Sequence, residues 1–247
     1  VLLVIAFHYD LFARNGFIGV DIFFVISGYV ICLSMLRMEY KSKFTFLTKF
    51  YVKRIARLFP AFFIFYVVIL ALVLAVYSPN MGVQQNAIKS GIGSLFGISN
   101  YLLPKISGSY FGATAHENPF LHTWSLSLEE QVYLMLPILF VFLFKKKSNT
   151  AKKFVAILIV TSFFLTFSIK PFFDISSAGT LPYFSTLARC WEFLIGFYLA
   201  FFNVKTKFKS RKINEFTSKI SLLVLLIFAI LPNLRIEDRL YLLAIPV

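Results

Sequence analysis

Residues 17–36 read FIGVDIFFVISGYVICLSML. The stretch holds one charge, Asp21, and is otherwise apolar, small or hydroxylic. A helix that crosses the hydrocarbon core of a bilayer needs about 20 mainly apolar residues. The stretch therefore reads as a membrane span, and the same pattern recurs along the chain. Further spans are expected at 1–9, 60–77, 126–144, 154–169, 181–202 and 220–231, with an eighth starting near residue 240. The expected fold is all-α, a polytopic transmembrane helix bundle with seven or eight spans. Residues 92–103 are too short and too rich in Gly and Ser to span, and read as a re-entrant or interfacial segment. The chain starts at Val1 and stops at Val247, each inside an apolar run, so residues 1–247 read as one transmembrane domain cut at both ends.

Composition agrees. The chain is 59% hydrophobic and 19% aromatic, and only 15% charged, where a soluble domain carries about 25% charged residues. The net charge of +14 sits between apolar stretches and not along one basic face, which excludes a nucleic-acid partner. Segments 37–57, 145–153 and 205–219 hold 18 of the 25 Lys and Arg residues. Basic loops stay in the cytoplasm, so these three face inward and the long loop 78–125 faces outward. Residues 45–59 mix aromatic and basic side chains and suit an amphipathic helix on the membrane surface. Cys32 and Cys190 both lie in apolar segments and read as small buried hydrophobes. No metal-ligand spacing, phosphate-binding Gly loop or nucleophile elbow is present. No internal repeat of the kind found in inverted-repeat transporters is visible.

Ionisable residues at membrane depth are costly, so each one is a candidate for function. His8 lies near the end of the first span, as a helix–helix hydrogen-bond donor or as a base. Asp21 lies in the first turn of the second span, where it complements the helix dipole or orients His8. The glycines of residues 16–28 let helices approach closely. Residues 122–133 read HTWSLSLEEQVY. Ser127 and Glu130 fit a capping box, which leaves Glu129 to face a cavity. Pro137 is expected to kink this span. Arg189 and Glu192 stand at i, i+3 and can pair on one helix face. Arg54 and Arg57 sit just before Pro60, as membrane anchors or as a phosphate clamp.

Taken in order, these residues resemble the acyltransferase-3 family of integral membrane O-acyltransferases. These enzymes decorate lipopolysaccharide, peptidoglycan and other glycans. His8 followed by GFIGVDIFFVISG at 16–28 resembles the first family motif. RIARLFP at 54–60 resembles the second, WSLSLEEQVY at 124–133 the third, and RCWEFLIG at 189–196 a fourth. The family's usual Arg upstream of the histidine falls before Val1. Its domain runs to about ten helices, and some members add an extracytoplasmic SGNH-type domain.

The resemblance implies a multi-pass protein of the inner, cytoplasmic membrane. It implies an acyl-CoA donor, acetyl-CoA first, used as substrate and not as a resident cofactor, and a glycan acceptor on the outer side. His8, Asp21 and Glu129 are the catalytic candidates, with Asp21 fixing the His8 tautomer. Arg54 and Arg57 are candidates to hold the phosphates of the donor. Trp124, Ser125, Arg189 and Glu192 are candidates to bind the acceptor. The competing reading is a glycan or lipid-linked-sugar transporter without chemistry.

Overall fold

The computed structural model describes residues 2–9, 15–39, 41–78, 82–107, 118–143, 149–168, 184–203, 219–224 and 226–227. Among the described residues the chain is helical, without strands. The principal helices are α1 Leu2–His8, α2 Ile18–Leu36, α3 Lys43–Val76, α4 Gly82–Leu95, α5 Ser99–Ser107, α6 Thr123–Leu143, α7 Asn149–Ser168 and α8 Thr186–Phe201. Four of them, α2, α3, α6 and α7, are long and apolar enough to cross a membrane. At 16 residues α8 is about 24 Å long, somewhat short of the hydrocarbon core. Of the spans expected near 220–231 and 240, only 219–224 and 226–227 are described, and these are helical.

The second and eighth helices make the tightest pair, and glycine explains it. A Cβ on Gly28 would collide with the Phe193 carbonyl, and one on Gly196 with the Val25 carbonyl. With hydrogen in place of a side chain, the two backbones touch. Gly16 and Gly19 do the same for α1, lying against Leu3, Val4 and Phe7. Around this pair, α8 packs on α7, and α6 closes the core against α2 and α8. The interior is aromatic: Phe24 stacks on Phe193 at 4.5 Å, and Phe140 meets both Phe46 and Phe201. Apolar side chains also cover the outside. Ile64 (65% exposed) and Leu72 (54%) on α3 point away from the bundle, as lipid-facing residues do.

In two places the helices differ from the sequence reading. Residues 45–59 do not form a separate surface helix; they are the first half of α3, which runs unbroken through Pro60. Ser42 caps its start by accepting from the Thr45 N–H at 3.1 Å. Phe46 and Phe50 give that half a buried stripe, and α6 covers it. The 34 residues of α3 measure about 51 Å, more than a bilayer core of about 30 Å, and the exposed Lys43, Lys49 and Lys53 occupy its first turns.

The second difference is at α6, which begins at Thr123 and not near Leu126. Ser127 is thus inside the helix and caps nothing. Its hydroxyl pairs instead with the Ser99 hydroxyl at 2.8 Å. The capping box of Ser127 and Glu130 does not exist. Pro137 lies within α6 and is buried.

The Gly- and Ser-rich segment 92–103 is a helix–turn–helix. The end of α4 turns at Gly97, at φ +64°, into α5. Ser99 and Asn100 are fully buried on α6 and α8. The Asn100 amide donates to the Phe184 carbonyl at 2.9 Å, and the Gln131 amide donates to the Gly97 carbonyl at 2.6 Å and to Asn100 Oδ1 at 2.9 Å. Buried polar groups need such partners, so the segment is anchored by its hydrogen bonds.

Candidate functional site

Helix α2 organises the candidate residues. Asp21, Phe24 and Gly28 stand at i, i+3 and i+7 and so share one face, with Ser27 beside them. That face lies on α8 from Asp21 to Gly28 and meets α6 at Phe24 and Ser27, and a cluster forms against each helix.

The first cluster is ionic. The Arg189 guanidinium binds Asp21 through Nη2, and its Nε lies 3.0 Å from Glu192 Oε1. Arg189 and Glu192 are almost wholly buried and Asp21 is partly exposed. The i, i+3 pairing expected on α8 is present. It is joined by a partner that the sequence reading had assigned to His8. His8 closes α1, and its side chain lies outside the described residues. The second oxygen of Glu192 is buried without a hydrogen-bond partner among the described residues.

The second cluster joins three helices. Glu129 on α6 accepts from the Ser27 hydroxyl of α2 at 2.8 Å and from the Tyr133 hydroxyl at 2.5 Å, both at Oε1. The Arg54 guanidinium of α3 lies 3.8 Å from the centre of the Tyr133 ring. Glu129 is buried and tied to these hydroxyls. Glu130 lines a cavity of about 320 Å³ together with Tyr51, Arg54, Phe59, Phe62 and Tyr133. It also lines a second cavity of about 330 Å³ with Phe65, His122, Thr123 and Leu126. The two cavities share Leu58, Phe62 and Glu130, so they form one groove between α3 and α6.

Phe24 bridges the clusters. Arg189 lies 5.4 Å over its ring, and the edge of Trp124 meets it at 6.4 Å. Trp124 is buried and also touches Phe184 at 5.4 Å. Ser125, at the start of α6, donates to the His122 carbonyl at 3.2 Å. Arg57 is exposed on α3 and belongs to neither cluster. Arg54 lies at the midpoint of α6, against Tyr133, although the sequence reading put it at the mouth of a span. Ser27 and Tyr133 join the site without having been candidates, and Glu130, read as part of a capping box, lines the groove. Each lies inside a quoted motif, and the i, i+4 spacing of Glu129 and Tyr133 was the available signal. Among the described residues no three His, Cys, Asp or Glu side chains converge to hold a metal.

Chemically, the first cluster fixes two carboxylates, one buried and one partly exposed, around one buried guanidinium. The second presents a cation beside a largely apolar groove. The first resembles a preorganised polar site, and the second offers a guanidinium beside apolar surface.

Comparison with known proteins places this arrangement. A family profile described as an acyltransferase domain matches residues 1–243. The peptidoglycan O-acetyltransferase OatA of Listeria monocytogenes is 32% identical over 92% of this chain and 37% of its own length. The O-acetyltransferase OatA of Staphylococcus aureus is 32% identical over 81% of this chain and 32% of its own length. The putative peptidoglycan O-acetyltransferase YrhL of Bacillus subtilis is 33% identical over 81% of this chain and 31% of its own length. The chain thus spans about a third of the length of the curated relatives it matches. No solved structure matches. With the profile covering nearly every residue and the four polar motifs in order, the chain belongs to the acyltransferase-3 family.

Proposed function

We propose that this chain is part of a multi-pass O-acyltransferase of the cytoplasmic membrane, with seven or eight spans in these residues and about ten in the whole domain. It moves an acyl group, acetyl first, from acyl-CoA on the cytoplasmic side to a glycan hydroxyl on the outer side. The observation that carries the reading is the family match over residues 1–243, with all four polar motifs gathered in one helix bundle. The names of the relatives point to peptidoglycan as the acceptor.

In this reading the hydroxyl oxygen of the acceptor attacks the thioester carbonyl. A C–O bond forms and the C–S bond breaks. His8 takes the proton from the hydroxyl and returns it to the departing thiolate. Asp21, held by Arg189, orients neutral His8 and offsets the charge of the imidazolium that forms when His8 takes the proton. Glu129 acts through Tyr133 and Ser27 and holds the inner wall of the site. Arg54, with the exposed Arg57 one turn further along α3, holds the phosphates of CoA. Trp124, Ser125 and Glu192 shape the acceptor side.

Proteoliposomes holding the full-length protein, given radiolabelled acetyl-CoA and a soluble peptidoglycan fragment, test this. Label appearing on the glycan, with free CoA in equal amount, supports acyl transfer. Movement of glycan across the bilayer without label would instead make the protein a transporter.

A further inference from the structure

We infer that Tyr133 is a positioning residue: its ring holds the Arg54 guanidinium in the groove between α3 and α6, set to receive a phosphate of the acyl donor. The inference rests on the donor-clamp reading of Arg54 given above.

An arginine has several freely rotating bonds, and something must fix its head before it can select a ligand. A carboxylate does this in most buried sites. Here no carboxylate lies within ion-pair distance of Arg54 among the described residues, and its Nε is buried without a hydrogen-bond partner there. What touches the guanidinium is the face of the Tyr133 ring, at 3.8 Å. The difference has a consequence. A carboxylate occupies the N–H edges that a phosphate needs, whereas a ring meets only the flat face and leaves the edges available. The cavity beside the pair, about 320 Å³, is lined by both residues.

The ring is itself fixed. The Tyr133 hydroxyl donates to Glu129 at 2.5 Å, and Ser27 on α2 donates to the same oxygen at 2.8 Å. Arg54 is thus tied through Tyr133 and Glu129 to α2, the helix that carries Asp21. Three of the four motifs meet in this chain of contacts. The placement of the cation depends on α2 and α6 as well as on its own helix.

Binding of acetyl-CoA and steady-state turnover should be measured on the full-length protein in nanodiscs. Arg54→Ala and Tyr133→Leu should each weaken binding roughly tenfold. The double variant should bind no more weakly than Arg54→Ala alone, because both remove one interaction. Tyr133→Phe keeps the ring and loses only the tether, so its affinity should fall about threefold, with KM for the donor rising and kcat held. If Tyr133→Leu does not accumulate, Tyr133→Phe and Ser27→Ala decide the matter. Each should raise donor KM about threefold, and both together no more than either alone. Fully additive losses, or a Tyr133 variant that lowers kcat with donor KM unchanged, would overturn the positioning role. Normal binding by Arg54→Ala would overturn the clamp itself. Weak binding by Arg54→Ala beside normal binding by Tyr133→Leu would overturn only this inference.

Discussion

Arg189 on α8 binds Asp21 on α2 while its own Nε lies 3.0 Å from Glu192, so one guanidinium serves two carboxylates at the tightest helix contact of the bundle. Removing one partner of a buried ion pair leaves uncompensated charge and costs about 3–5 kcal/mol. Arg189→Ala leaves Glu192 buried and unpaired and strips the partly exposed Asp21 of its partner, and is expected to lose about that much. Asp21→Asn leaves a neutral Arg189–Glu192 pair and should unfold at a higher temperature than Arg189→Ala. Thermal unfolding of both variants in detergent checks the order. Equal losses would mean that Arg189 and Glu192 do not form a self-sufficient pair.

The glycine contacts give a second prediction. Gly28→Ala and Gly196→Ala each place a methyl group into a carbonyl of the facing helix. Neither backbone can move without separating α2 from α8. Each should destabilise the protein by roughly 1–3 kcal/mol or more, as overpacked sites do. Gly82→Ala, whose added carbon would have nothing within 4 Å, serves as the control and should be neutral or slightly stabilising. Chromatography of fluorescently tagged variants reads the folded fraction directly.

The buried amides of α5 and α6 give a third. Asn100→Leu removes the donor to the Phe184 carbonyl and the acceptor for Gln131. Interhelical hydrogen bonds in membranes contribute on average about 0.6 kcal/mol and at most about 1.7. Asn100→Leu should therefore cost roughly 1–2 kcal/mol in an unfolding titration. Ser125→Ala, which breaks only a bond within one turn at the start of α6, should cost much less.

What the sequence made legible was length and apolarity. The spans α2, α3, α6 and α7 stand out because a bilayer demands about 20 apolar residues. The close approach at Gly28 was visible too, since glycine in an apolar helix has few other uses. The unity of α3 was hidden because Arg54, Arg57 and Pro60 look like a boundary; the structure keeps the helix intact by packing its first half on α6. Ser127 looks like a cap in the sequence, but α6 begins at Thr123, and the Ser127 hydroxyl pairs instead with the distant Ser99. The pairing of Asp21 with Arg189 spans 168 residues, and no local rule says which helices are neighbours. The role given to His8 still rests on the family resemblance, as its side chain lies outside the described residues.

The central claim is that this family member adds an acyl group to a glycan, with His8 as the base. The most direct measurement compares surface glycans, by mass spectrometry, from a host lacking the gene and supplied with the full-length protein or its His8→Ala variant. Membrane insertion is verified for both. The account predicts an acetyl-sized mass increase on the glycan with the unaltered protein and none with the variant. An equal increase with His8→Ala would contradict the role of His8, and glycan export without any mass increase would contradict acyl transfer itself.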